Sequence, residues 1–385
     1  MDFIVGSFNH PSLYLCQFHP ATSNTEASVK IVREHPAIGG HSWLSFSKDK
    51  KYLYCTAWLE KPSIAAYAVR SGGRDVQFLN AKPVKSLSGY VCSNETHVFS
   101  AGGPSGEVFR LEADGSIGKL VQELDFVTGQ GENQSEQRGK VAHGDFGGLR
   151  HGAHSVDLSP DGKYLYVADI GRNCIWTYKV THSKRGIDDP PLQLGTKHVS
   201  PRSHDGPRHT WPHPNGKVLY SLQEHSSMVD VFAIAEDGVT LEHKQACSVL
   251  PPGKDCKKYW ADEVRYSTGP DPSKPRYLYA SNRGLDAETL GFVGAYKLKE
   301  DGFLEEEEPI DLYETPTSGG LANAIEPAPW KQEHGDIEYL AMTDSQESRL
   351  AVLSFDGKKI KEAAHATAGK TEDGKTIGLA TAVWF

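Results

Sequence analysis

Residues 154–169 read HSVDLSPDGKYLYVAD. SVDLS alternates apolar and polar positions, PDG supplies a turn with a glycine that tolerates left-handed backbone, and KYLYVA is rich in strand-forming residues, so the stretch reads as a hairpin. The hairpin recurs along the chain. HSWLSFSKDKKYLYCTAW begins at His41, RHTWPHPNGKVLYSLQEHSSMVDVFAIAEDG at Arg208 and DEVRYSTGPDPSKPRYLYASNRG at Asp262. A weaker copy, NAIEPAPWKQEHGDIEYLAMTDSQESRLAVLSFDG, begins at Asn323, and a degenerate one, GYVCSNETHVFSAGGPSGEVFRLEADG, lies near Gly89.

Starts at 41, 89, 154, 208, 262 and 323 are 48 to 65 residues apart, and each unit holds three or four short strands, the length and content of a propeller blade. GLATAVWF supplies a seventh start near 378 but only one strand, so FIVGSFN and LYLCQFH from the N-terminus are expected to complete that blade. Closing a ring with both chain ends removes exposed sheet edges. The reading is an all-β, seven-bladed β-propeller, one domain over 1–385. Helical folds are disfavoured: no apolar stripe of period 3.6 has useful length, while 38 Gly and 22 Pro fall at turn spacing. The polar, Gly-rich segment 127–152 reads as a long inter-blade loop, either mobile or a lid.

Charge narrows the partners. The 41 Lys+Arg against 50 Asp+Glu give a net charge of -9, which argues against nucleic acid or an anionic membrane and requires any anionic substrate to meet a local basic pocket. No run of about 18 apolar residues is present, and MDFIVGSFNHPS has neither a basic start nor a hydrophobic core, so a cytoplasmic protein is expected. The six cysteines include no C-x-x-C pair and read as reduced, buried thiols.

Aligning the repeats brings distant polar residues together. His154, Arg208, Asp262 and Asn323, with Ser42, share one position at the start of the channel-lining strand; Ile170, Glu224, Arg283, Ser345 and Trp58 share another, just past the second strand. Entrance and exit of a hairpin lie on one face, so these residues should ring one channel mouth. Propeller mouths are commonly polar and wet, but two arginines with a histidine and a carboxylate exceed what hydration needs. Guanidinium groups suit bidentate binding of carboxylates, and His and Glu can carry a proton. A small molecule with two or three carboxylates fits such a mouth. Lys258, in KDCKKYW, would extend it or form part of a solvated charge run.

Other constellations are weaker. HGAH (His151, His154) and HTWPH (His209, His213) could be metal pairs, but neighbouring strand positions send side chains to different places, and His213 falls at the turn where Ser159 does. No C-x-x-C or D-x-D-x-D-G loop accompanies them, so no metal is expected. With neither a phosphate-binding G-x-x-x-x-G-K-[ST] nor a G-x-S-x-G elbow, nucleotide binding and covalent Ser catalysis lack support and no cofactor is expected.

The stretches SVDLSPDGKYLYVADIGRNCIWTY, PRHTWPHPNGKVLYSLQE, LYASNRG, PTSGGLANAIEP and MTDSQES, with PPG at 251–253, resemble the seven-bladed propellers of the lactonase superfamily along nearly the whole chain. They are similar in particular to the fungal-type 3-carboxy-cis,cis-muconate cyclases. That resemblance implies an intramolecular lyase of aromatic catabolism, in the protocatechuate branch of the β-ketoadipate pathway, which converts 3-carboxy-cis,cis-muconate to its muconolactone without a cofactor. It also implies a site of one His, two Arg and one Glu, falling on His154, Arg208, Arg283 and Glu224, and that the protein can assemble as a homo-oligomer, for which no self-complementary patch is legible; Asp262 and Asn323 from the repeat alignment and Lys258 from the charge run are further binding candidates. A Glu beside an Arg should be ionised, which favours His154 over Glu224 as the acid. Two rival readings remain: a lactonase of the 6-phosphogluconolactonase type, which would release a proton, and an interaction platform, which would show an apolar top surface and no basic ring.

Overall fold

The computed structural model describes residues 1–127, 152–181 and 188–385. Segment 127–152 therefore lies almost wholly outside the described residues, and His151 with it. The described residues form seven four-stranded antiparallel sheets. Their inner strands are Leu44–Phe46, Tyr90–Ser93, Ala153–Leu158, Pro207–Pro212, Tyr259–Tyr266, Ile325–Pro327 and Leu379–Trp384, each beginning within three residues of its predicted start. Each inner strand contacts the next around the circle, the last against the first, which closes the propeller.

The seventh blade takes its inner strand from the C-terminus and three strands from the N-terminus: Asp2–Ser7, Ser12–His19 and Ser28–Pro36. Two of the three were expected. The third, SVKIVREHP, is an outer strand, and its mostly wet pattern of side chains hides it among loop sequences. The ends of the chain are paired directly, Phe3 with Trp384, Ile4 with Val383 and Val5 with Ala382.

Blades stack face to face, so the second strand of each is buried on both faces. Tyr164–Asp169 and Val218–Gln223 are buried almost throughout, whereas the outer strand Leu241–Ser248 is largely exposed. This explains why the YLY segments run apolar without alternation. Their tyrosines also pin neighbouring blades: the hydroxyls of Tyr54, Tyr166 and Tyr220 donate to the carbonyls of Gly115, Gly238 and Gly302, at 3.2, 3.1 and 2.6 Å. Those glycines hold φ of 82°, 73° and 90°, a region open to glycine at little cost, so the recurring A/E-D-G is the socket for the previous blade's tyrosine. The SPDG and HPNG turns match the sequence reading. His213 sits where Ser159 does, each donating its backbone N–H across the turn, to Val218 and Tyr164.

Four of the six cysteines are buried and all are free, but Cys256 is exposed and Cys92 half-buried, because Cys256 falls in a short 3-10 turn rather than a strand. No helix among the described residues is long and apolar enough to cross a membrane.

Trp384 tests the closure. It is 5% exposed, packs against Phe3 at 4.2 Å and donates its indole N–H to Glu326 of the sixth blade at 2.9 Å. Trp384→Ala should lower the unfolding free energy by about 3–5 kcal/mol, read as a fall in the urea midpoint. An unchanged midpoint would show that the terminal strand does not carry the ring.

Candidate active site

Three inner strands carry the same irregularity at their heads. Ala153 pairs with Asp169 and Ser155 with Ala168, so His154 is an extra residue; Arg208 is extra between Pro207 and His209, and Asp262 between Ala261 and Glu263. A β-bulge re-aims the side chain of its extra residue. Here the bulge turns His154, Arg208 and Asp262 into the channel, where they line one cavity with Glu224 and Arg283. With Ser42 and Trp58, which line the same cavity, seven of the residues grouped by the repeat alignment are thus brought together.

The alignment needs one correction. Arg283 was expected past the end of its strand but lies within Tyr277–Gly284, opposite Trp260, because the second strand of this blade runs on. Its equivalence to Glu224 holds, since each follows the residue paired with the one just before the bulge, Gln223 with Pro207 and Asn282 with Ala261. Glu224 is fixed by its main chain: its N–H donates to Gly206 and its carbonyl accepts from Ala261 of the next blade. The equivalent N–H groups of Trp58, Ile170 and Ser345 donate in the same way to Gly40, Gly152 and Gly319.

The two arginines share one counter-ion. Arg208 Nε donates to Glu224 Oε2 at 2.9 Å and its Nη1 to the Asp262 carbonyl, while its Nη2 lies 3.7 Å from Asp262 Oδ1. Arg283 Nη1 donates to the same Asp262 oxygen and to the carbonyl of Leu321, with its guanidinium 5.5 Å above Trp260. The other oxygen of Asp262 accepts the backbone N–H of Asn323 at 2.9 Å. Burial pushes the Asp262 carboxyl up, against the opposing pull of Arg283 and Arg208.

His154 is 8% exposed, and its Nδ1 has no hydrogen-bond partner among the described residues; nor has Glu224 Oε1. Burial, then Arg208, His209 and Arg283, hold the His154 imidazole well below its ordinary range, so it is neutral near pH 7. The arrangement offers guanidinium groups for carboxylates, and two buried polar atoms still able to bond a ligand.

Two expected binding residues fall outside the cavity lining. Asn323 is buried, but its carboxamide donates to the Asn282 carbonyl at 3.0 Å, so it touches the site through its backbone N–H. Lys258 is exposed, in the 3-10 turn Cys256–Lys258 ahead of the inner strand. The pairing of His209 with His213 as metal ligands also fails: His209 bonds Glu263 and Arg208 at the channel, while His213 packs on Tyr220 and Tyr266 at the far turn.

Sequence reasoning missed His209, Glu263 and Trp43, which line the cavity, and Arg265 beneath them. His209 and Glu263 each directly follow a bulged residue, in R-H and D-E pairs at equivalent blade positions, a pattern readable only once the bulges are known. Trp43 stacks on Tyr90 at 3.7 Å, and Arg265 lies over Trp43 at 5.2 Å and Trp211 at 3.9 Å. This layer floors the site, and below it the channel widens into a second cavity of about 600 Å³.

Comparison with known proteins agrees with this architecture. The sequence profile of the family described as Lactonase, 7-bladed beta-propeller, matches residues 3–316. The chain is 40% identical to muconate cycloisomerase 1 of Cutaneotrichosporon cutaneum, over 100% of this chain and 98% of that protein. It is 24% identical to the carboxy-cis,cis-muconate cyclase of Neurospora crassa over 91% of each, and 27% identical to a 6-phosphogluconolactonase of Formosa agariphila over 74% of this chain and 76% of that one. The periplasmic gluconolactonase of Pseudomonas aeruginosa superposes with a TM-score of 0.75 at 18% identity, covering 100% and 98% of the two chains, a likeness of fold. With a profile over most of its length and a relative matched from end to end, the chain belongs to the lactonase family of seven-bladed β-propellers.

Proposed function

We propose that this cavity carries out the cycloisomerisation of 3-carboxy-cis,cis-muconate to 3-carboxymuconolactone. The protein is an intramolecular lyase of the carboxymuconate cyclase kind. The observation that carries the site is the pair of arginines from adjacent blades converging on Asp262, with His154 and Glu224 lining the same cavity.

In this reaction one carboxylate oxygen of the substrate adds across a conjugated double bond, closing a γ-lactone. A trianion becomes a lactone dianion, so a proton is taken up at the carbon alpha to another carboxylate. The nucleophile is already ionised near neutral pH, so the step needs an acid and a place for enolate-like charge more than a base. Arg208 and Arg283 clamp carboxylates and hold the developing charge, preorganised by Asp262 and Glu224. The cavity that these residues line holds about 70 Å³.

His154 serves as the acid once substrate is bound. Two of the three groups that hold it neutral besides burial are the arginines, and a polyanion seated on them cancels that repulsion and draws a proton onto the imidazole. Six free cysteines support a reducing, cytoplasmic setting.

In weakly buffered solution with EDTA, 3-carboxy-cis,cis-muconate should lose its diene absorbance with uptake of protons. Release of protons from 6-phosphogluconolactone, with the muconate untouched, would make the protein a lactonase. Assaying cis,cis-muconate beside it decides whether the dianion named in the Cutaneotrichosporon relative is turned over faster, which would reassign the substrate.

His154→Gln should lower kcat by roughly 10²–10⁴-fold, the usual contribution of a positioned acid. Because binding should raise the His154 pKa, an inert tricarboxylate such as tricarballylate should bind with proton uptake, and its affinity should weaken as pH rises. Calorimetry in buffers of different ionisation heat reads this. Uptake that persists in His154→Gln and disappears in Glu224→Gln would move the donor to Glu224.

A further inference from the structure

His209 is 1% exposed and follows the bulged Arg208. Its Nδ1 lies 2.7 Å from Glu263 Oε1, and its Nε2 lies 3.0 Å from Arg208 Nη1. A guanidinium can only donate, so Nε2 must accept and carries no proton. The ring proton therefore sits on Nδ1 and is given to the Glu263 carboxylate. A protonated ring, or the other neutral tautomer, would set N–H against N–H. Burial, with Arg208 and Arg265 alongside, independently keeps this imidazole neutral.

The carboxylate is itself held. Glu263 Oε1 also accepts from Arg265 Nη1 at 2.5 Å and from the Val264 N–H at 3.1 Å, and Arg265 Nε donates to Glu326 at 2.8 Å. The His209 ring stands edge-on to Trp43 and Tyr90, at 5.1 and 5.3 Å. With Nε on Glu224 and Nη1 on His209 and the Asp262 carbonyl, Arg208 is left with Nη2 for a further partner, its nearest carboxylate oxygen being 3.7 Å away.

We propose that the Glu263–His209 pair is a positioning device for Arg208: the carboxylate selects the Nδ1–H tautomer, and the bare Nε2 then accepts from Nη1 and turns Nη2 toward the substrate carboxylate. The inference rests on the cycloisomerase reading of the cavity. Both residues border the cavity but are almost fully buried, and their role is to act through Arg208.

Two amide variants separate this role from simple packing. In His209→Gln the side-chain carbonyl reaches the place of Nε2 and can accept from Arg208. In His209→Asn the amide reaches only the place of Nδ1, so it bonds Glu263 and leaves Arg208 without its acceptor. Measured with thermal unfolding alongside, His209→Asn should lower kcat/KM for the trianion by about 10- to 100-fold, as loss of an orienting partner does, with KM raised, and His209→Gln should recover most of the loss. Equal impairment of the two, or impairment of neither, overturns the proposal.

A second readout needs no turnover and no Asn variant. In protein with nitrogen-15-labelled histidine, the signal lost on His209→Gln should have the pattern of a neutral Nδ1–H imidazole. A protonated or Nε2–H pattern overturns the proposal. If that pattern is found but the trianion is not turned over, the cycloisomerase reading fails while the hold on Arg208 stands.

Discussion

One buried carboxylate sets the terms for the site. Asp262 is 1% exposed and lies against guanidinium groups from two blades, themselves 9% and 7% exposed. Two desolvated cations this close would repel each other strongly without it, and an unpaired buried charge costs several kcal/mol. Its second oxygen accepts the Asn323 N–H of the sixth blade, so one side chain ties together blades four, five and six at the channel mouth. The arginines are thereby held apart at a fixed angle before any substrate arrives, which is what a preorganised clamp requires.

Asp262 can do this because of a backbone irregularity. A regular inner strand would point alternate residues into the neighbouring blades, where there is room only for apolar packing. The extra residue at the head of three inner strands breaks that alternation and turns one polar side chain per blade into the channel. The residue after each bulge, Ser155, His209 or Glu263, is almost wholly buried. The site has two tiers as a result: an upper one of His154, Arg208, Glu224, Asp262 and Arg283, and a lower one of His209, Glu263 and Arg265 that supports it. Ring closure by the terminal strand makes these positions rigid, since each blade is braced by both neighbours.

The blade count, the starts of the inner strands and the convergence of His154, Arg208, Glu224, Asp262 and Arg283 were legible from the repeat, because equivalent positions in a propeller face one axis. The lower tier was not. His209 and Glu263 look like ordinary strand residues until the bulges are known, and a bulge leaves no distinctive residue type. Asn323 was placed at the right position but with the wrong working group, because an alignment locates a residue without saying whether its side chain or its N–H does the bonding. Lys258 was read from composition, and a run of charges before a strand carries no information about which way the turn faces. Cys256 shows the same limit, since counting cysteines does not separate a strand thiol from a turn thiol.

The charge balance of the mouth has a consequence for the chemistry. Arg208 and Arg283 are opposed by Glu224 and Asp262, so the four side chains together carry little net charge, in a chain that is already anionic. Such a site gains little by simple attraction for a trianion. On the proposed role of His154 it would gain when a proton enters with the substrate, since a proton there would add positive charge where burial and the two arginines otherwise oppose it. The reaction consumes one proton at carbon. On that role the proton that balances the charge of binding would also be the one delivered in the chemical step, and the product would leave as a dianion from a site returned to its neutral histidine.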